Sequence, residues 1–174
     1  MIAHRLRCVV GGVSAAMLAG LLVMVSVSRA ANSDEKEIPK KVMDALKAKF
    51  PKAEITKWTK EKEGNDVVYD IEFKQEGRKF EADIKEDGTI LNWEKEIAAK
   101  DLPEAVKKAV DKKYPNAKLK EIMEVTEVKG KEEKLEGYEI VLETADKKEV
   151  EVMVAPDGKI LEDSGEKKEE KKDK

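Results

Sequence analysis

The sequence predicts an α+β fold of two tandem units, each one helix packed on a four-stranded antiparallel meander. Two proline motifs recur 64 residues further along, and both copies end in Asp-Gly-x-Ile-Leu. Helical spacing follows the first proline motif of each copy, and alternating apolar segments precede each Asp-Gly. The motifs are Ile38-Pro39, Phe50-Pro51 and Asp87 to Leu91, then Leu102-Pro103, Tyr114-Pro115 and Asp157 to Leu161. Self-similarity in this order indicates duplicated units.

The first 30 residues have the pattern of an export signal. Two arginines precede an apolar run from Val9 to Val27, and the small residues Ser28 and Ala30 fit a cleavage site after Ala30. An uncleaved anchor is the alternative, since a run of 19 apolar residues is just long enough to span a bilayer. If the signal is cleaved, we expect no stable membrane insertion and a periplasmic or secreted protein.

The composition after the signal excludes several kinds of chemistry. Cys8 and His4 are the only cysteine and histidine, so residues 31–174 hold neither. Disulfides, thiol or imidazole catalysis and the usual zinc or copper ligands are therefore absent. Cleavage removes three arginines and no acids, which takes the formal charge from −3 to −6 and argues against nucleic acid as a partner.

The segment boundaries follow from the repeats and from the polar ends. Residues 163–174 are dominated by charge and cannot contribute to a core, so we expect a disordered tail. The predicted segments are signal peptide 1–30, flexible lead-in 31–37, first unit 38–93, linker 94–101, second unit 102–162 and charged tail 163–174.

Each unit begins with an amphipathic helix. Pro39 stands where a helix favours its first residue, and the apolar residues Val42, Ala45, Leu46 and Phe50 follow at spacings of three and four. Pro103 begins the same pattern in the second copy, and a proline after the aromatic residue ends each helix. The first strand of each unit alternates imperfectly, which predicts either a β-bulge or a strand that starts late.

The next two strands of each unit form a hairpin whose register can be predicted. In the first copy we pair Phe73 with Phe80, so that Tyr69 faces Ile84 across a turn at Gly77. In the second copy the corresponding hairpin pairs the strand of Tyr138, Ile140 and Leu142 with the strand of Val150, Val152 and Val154. Asp-Gly supplies the left-handed turn before a short last strand. Two units side by side would share a larger core and could continue one sheet.

The ordered pattern of a Tyr-x-Ile-x-Phe or Tyr-x-Ile-x-Leu strand, followed by an Asp-Gly turn and a closing strand, resembles the PepSY-like families. The resemblance covers Ile38 to Leu161 and is greatest with the beta-lactamase-inhibitor-like branch, whose tandem units are secreted. It implies a non-enzymatic module of the periplasm or cell exterior, related in shape to protein inhibitors of beta-lactamases and peptidases. It does not imply which partner is bound.

The predicted register places acids on the sheet face away from the helices. Glu72 faces Glu81 and Asp70 faces Asp83, and the second hairpin repeats the tendency. Two aromatic residues, one near each end of the first unit, are added as possible interface anchors, although a core role is the usual one for tryptophan. The candidate interaction face is Asp70, Glu72, Glu81, Asp83, Glu139, Glu143, Glu149, Glu151, Trp58 and Trp93.

We therefore predict an exported, non-enzymatic binding module that takes a protein or peptide partner on this face or in the groove between the units, with inhibition left open. The alternative functions are weak binding of divalent cations and a structural role in the envelope. The simplest interpretation is that the acidic face is solvated and binds no partner. We expect no cofactor and no metal site. Paired carboxylates on an open sheet do not make a hydrolytic site, which needs a cleft and a desolvated acid.

Overall fold

The computed structural model describes residues 35–165. The predicted signal peptide, residues 31–34 of the lead-in and residues 166–174 of the tail lie outside this range. Two α-helices and eight strands follow the predicted order, and the α+β class is confirmed. The elements are α1 Lys40–Lys49, β1 Glu54–Glu63, β2 Asp66–Gln75, β3 Arg78–Lys85, β4 Ile90–Glu96, α2 Glu104–Lys113, β5 Lys118–Lys129, β6 Glu132–Glu143, β7 Glu149–Val154 and β8 Ile160–Asp163.

The prediction of two tandem units, each one helix packed on its own four-stranded antiparallel meander, is wrong, and the single sheet that the sequence left open is what forms. All eight strands form one antiparallel sheet in sequence order. The join is between β4 and β5, which pair from Asn92 opposite Glu127 to Glu96 opposite Met123. Two separate meanders would leave four edges with free backbone donors and acceptors, whereas one sheet leaves two. Backbone pairing across the repeat boundary therefore overrides the modular arrangement.

The helices pack on one face of this sheet over two apolar clusters. Val42 and Leu46 of α1 are fully buried against Ile71 and Phe73, and Val106 and Val110 of α2 pack among the second-half strands. Pro39 and Pro103 stand one position before the first helical residue rather than on it, with ψ near 143–144°. Among residues 35–165 neither helix is long and apolar enough to cross a membrane.

The predicted bulge in the first strand of each copy is confirmed. The register with the next strand shifts between Ile55 and Lys57 in β1 and between Leu119 and Glu121 in β5. The shift keeps Trp58 and Ile122 on the core side, because one extra residue restores the alternation after the skipped positions.

The Asp-Gly turns dock the sheet on the helices. Gly88 and Gly158 have φ of 93° and 88°, in the left-handed region that glycine adopts without strain. A Cβ on Gly88 would lie 2.9 Å from the Lys41 carbonyl oxygen, and one on Gly158 would lie 2.6 Å from that of Ala105. Each turn thus requires glycine for two reasons: the positive φ of its backbone and the close approach of the first turn of the helix.

The free edge strand β8 is fixed to α2 by Asp163. Its carboxylate accepts a hydrogen bond from the Tyr114 hydroxyl at 2.5 Å and lies 2.7 Å from the Lys113 ammonium. Burial raises the pKa of Asp163, but the hydrogen bonds from Lys113, Tyr114 and the Gly165 N–H outweigh it and leave the pKa below its ordinary value.

Gly158→Ala is expected to destabilise the protein more than Gly77→Ala. Both glycines have positive φ, so both variants carry the backbone cost of about 1 kcal/mol, but a Cβ on Gly77 meets nothing within 4 Å. The clash with Ala105 adds a further cost of about 1–2 kcal/mol for Gly158 alone. Urea denaturation of the two variants measures the difference, and equal losses would show that the turn does not press on the helix.

Asp163→Asn is expected to lower the free energy of unfolding by about 1 kcal/mol at pH 7. Because the folded pKa of Asp163 lies below its unfolded value, the charge stabilises the fold above the unfolded pKa, and this contribution is lost as pH falls through the folded pKa. Denaturation at pH 7 and at pH 3 should show the wild type converging on the variant in acid. A constant gap would contradict the pairing of this carboxylate.

Candidate functional site

The acids of the two hairpins lie on the sheet face opposite the helices, called here the open face. The predicted register is confirmed, with Asp70 opposite Asp83 and Glu72 opposite Glu81. In the second hairpin Glu143 faces Glu149, Val141 faces Glu151 and Glu139 faces Met153, also as predicted. Because these residues alternate with the buried residues of the core clusters, they point away from α1 and α2.

Three glutamates form a row across the first half of the open face. Glu72, Glu81 and Glu94 are successive cross-strand partners on β2, β3 and β4. The sequence reasoning missed Glu94, although its place follows from Trp93, which lies opposite Ala82 one residue earlier. The row ends at Lys57, whose ammonium lies 2.8 Å from Glu72. The sheet therefore brings together like charges that local sequence separates by up to 22 positions.

Burial divides the row into a reachable and an enclosed part. Glu81 is 2% exposed and Glu94 is 7% exposed, whereas Glu72 is half-buried. Lys79 lies 2.9 Å from Glu81 and 2.6 Å from Glu121 on β5, and so connects the two halves of the sheet. A buried carboxylate is tolerated only when such partners compensate its lost hydration. Half-buried Asp70 and Asp83 lie beside the row, and the Asn92 amide donates to Asp83 at 3.0 Å.

The second half of the open face is less acidic at its centre. Met123, Val125 and Met153 are buried there, and Glu151 is 4% exposed. Glu143 stands nearer the rim, and hydrogen bonds from Lys147 and Lys120 lower its pKa. Glu139 is half-buried between the two methionine positions and Glu149 is exposed. The open face therefore has reachable acids in both halves, and those of the first half, Asp70, Glu72 and Asp83, lie close together on β2 and β3.

The two tryptophans lie on the helix side, apart from the predicted acids. Trp58 is 5% exposed in the first core cluster, with its ring 5.9 Å from that of Tyr69. Trp93 is half-buried and meets Phe50 edge-on at 5.9 Å. The structure thus brings eight of the ten candidate residues to one face and places Trp58 and Trp93 on the other.

A cleft of about 500 Å³ lies where the chain passes from β4 to α2. Arg78, Lys95, Ile97 and Glu124 are among its lining residues, and Lys95 lies 2.8 Å from Glu124. Because its walls carry both signs of charge and Lys95 is already paired with Glu124, this cleft does not select a ligand of one charge.

The described part of the chain shows no arrangement for binding a metal ion. Within residues 35–165 no group of three or more acidic side chains is placed to hold a metal ion. Ser164, the serine of this range, accepts a hydrogen bond from the Glu151 N–H at 2.8 Å and lies at the sheet edge.

Comparison with known proteins gives a family match and a shared fold. The family model described as "Putative beta-lactamase-inhibitor-like, PepSY-like" matches residues 23–92 and 68–162. No curated protein matches the chain. Solved structures from three Bacteroides species are similar in fold.

A DUF2874 family protein from Bacteroides uniformis has 17% identity and a TM-score of 0.57, covering 72% of this chain and 87% of that one. A BLIP-like protein from Bacteroides fragilis has 24% identity and a TM-score of 0.50, covering 72% and 84%. A protein from Bacteroides eggerthii, described as putative periplasmic, has 17% identity and a TM-score of 0.57, covering 72% and 86%.

Lys79→Met is expected to destabilise the fold by about 1–3 kcal/mol, because it removes an ammonium that compensates buried Glu81. The double variant Lys79→Met/Glu81→Gln should recover part of this loss, since the buried charge is then removed as well. Lys52→Met is the matched control: its pair with Glu76 is exposed on both sides, so water and salt screen it and its loss should change stability much less. Equal losses at Lys79 and Lys52 in urea denaturation would contradict the role of Lys79.

Proposed function

The chain belongs to the PepSY-like, beta-lactamase-inhibitor-like family, and we propose that it is an exported binding module that takes a protein or peptide partner on its open face. The match covers both repeats, so the resemblance predicted from the sequence is confirmed. Inhibition of the partner is the finer version of this proposal, by analogy with the BLIP-like relative. We place the protein in the periplasm or outside the cell, in line with the Bacteroides eggerthii relative and with the signal-like residues 1–30.

The width of the open face supports a macromolecular partner. Seven strand spacings of about 4.8 Å make a surface about 34 Å wide, and strands of six residues make it about 20 Å long. This is close to the roughly 800 Å² that each side contributes to a standard protein interface. The joining of eight strands supports the proposal, because four strands would offer half this area.

The charge of the open face supports a partner with a basic segment. Asp70, Glu72 and Asp83 are half-buried and close together, and the buried Glu81 beside them is paired with Lys79. Lys57, which pairs with Glu72, lies on the edge strand β1 and so at the margin of the open face. Complementary charge increases association rates and selects partners, and its effect falls with salt.

The observation that carries the proposal is the row Glu72, Glu81 and Glu94 on a broad sheet face opposite the helices. Like charges across a ladder cost stability on the order of a few tenths of a kcal/mol per exposed pair, and more when buried. A binding role gives this costly arrangement a purpose. The lack of histidine and cysteine after residue 30 supports a protein without catalysis.

A pull-down from a periplasmic extract with residues 31–174 as bait tests the proposal. The partner captured by the wild type should bind Asp70→Asn/Asp83→Asn about tenfold more weakly, because two reachable charges are removed from the open face. The salt dependence of binding, measured by titration calorimetry, should also become shallower.

Asp44→Asn/Asp111→Asn is the matched control, since it changes net charge equally with two exposed acids on the helices. This control should bind like the wild type. Capture of no partner, or equal weakening by both double variants, would count against recognition by the open face.

A further inference from the structure

On the helix side, three side chains from distant parts of the chain meet around one carboxylate. Glu133 of β6 accepts a hydrogen bond from the Lys49 ammonium at 2.5 Å and another from the Trp93 indole N–H at 3.1 Å. Lys49 is the last residue of α1 and also lies 5.1 Å from the centre of the Trp93 ring. The two donors thus hold both oxygens of the carboxylate, one each.

The contacts around Glu133 favour the charged carboxylate. The hydrogen bond from Lys49 is the main cause that lowers the pKa of Glu133; burial opposes it, and the bond from Trp93 adds to it. Hydrogen bonds to ionised groups are the stronger kind. Lys49 is also the more enclosed member of the pair, with 22% of its side chain exposed against 43% for Glu133. The Lys49 side chain is therefore less accessible to solvent than the carboxylate that pairs with it.

The equivalent position in the other half is built differently. Lys113 corresponds to Lys49 by the 64-residue offset, and Asp163 corresponds to Trp93 by the 70-residue offset of the Asp-Gly motifs. In the second half the carboxylate is that of Asp163, a residue of the same half as Lys113, and the two groups lie 2.7 Å apart. In the first half the place of the acid is taken by an indole, so the carboxylate must come from elsewhere.

We propose that Lys49 and Trp93 form a carboxylate-binding site on the helix side, which Glu133 occupies in the free protein and which an acidic side chain of a partner enters by displacing Glu133. Glu133 and Leu135 point to the same side of β6, and Leu135 is 37% exposed opposite Thr126, the cross-strand partner of Trp93. The site therefore fits an acidic side chain with an apolar neighbour. It is separate from the open face and goes beyond the function proposed above.

Removing the internal ligand allows a direct test with acetate as the probe. In Glu133→Ala, sodium acetate at pH 7 should raise the thermal midpoint above that in sodium chloride of equal ionic strength, because acetate binds the folded state. Acetate at five times its dissociation constant raises the ratio of folded to unfolded protein about sixfold. Tryptophan fluorescence should change over the same acetate range, since Trp93 contacts the ligand. In the wild type the effect should be smaller, because Glu133 competes.

Two control variants make the test specific. Lys49→Met/Glu133→Ala removes the ammonium and should show no gain from acetate over chloride. Glu76→Ala frees Lys52 from an exposed pair that has no indole donor, and it should also show none. An equal response to acetate and chloride in Glu133→Ala, or the same acetate gain in all variants, would overturn the proposed site.

Discussion

The pairing of β4 with β5 is the constraint on which the rest of the structure depends. It joins the two copies into one sheet. Through this pairing Glu94, the last glutamate of the row on β2, β3 and β4, lies opposite Val125 on β5. The same pairing brings β6 close enough for Glu133 to reach Lys49, 84 positions away in sequence. Both faces therefore gain contacts that neither copy could make alone, because strands in register carry side chains across the boundary.

Much of the fold follows from local pattern, but the join does not. Phe73 and Phe80 fix the register of the first hairpin, and Gly88 is required by a turn that the Asp-Gly motif already indicates. The pairing of Asn92 to Glu96 with Met123 to Glu127 joins strands separated by a helix, and no short-range turn chemistry specifies it. The repeats predicted a four-stranded meander for each unit and left open whether the two continue as one sheet. An isolated unit already satisfies its own periodicity, while the energetic cost of exposed edges appears only in three dimensions.

The eight acids of the candidate site were predicted in position but not in burial, whereas the two tryptophans lie on the other face. Alternation places Glu81 and Glu151 on the open face, yet both are at most 4% exposed. Charged residues are rarely that enclosed, so the sequence favours the interpretation that these two glutamates are exposed to solvent. Lys79 pairs with Glu81 and also with Glu121 of β5, and this second contact depends on strands brought together by the whole sheet. Likewise the role of Trp93 depends on Glu133, whose position no motif near either residue indicates.

Native-state hydrogen exchange tests the continuous sheet most directly. The amides of residues 92–96 and 123–127 that point across the β4–β5 ladder should exchange only on global unfolding, like those between β2 and β3. Exchange of these amides as fast as the outward amides of the edge strands β1 and β8 would show two separate sheets instead and would contradict the account.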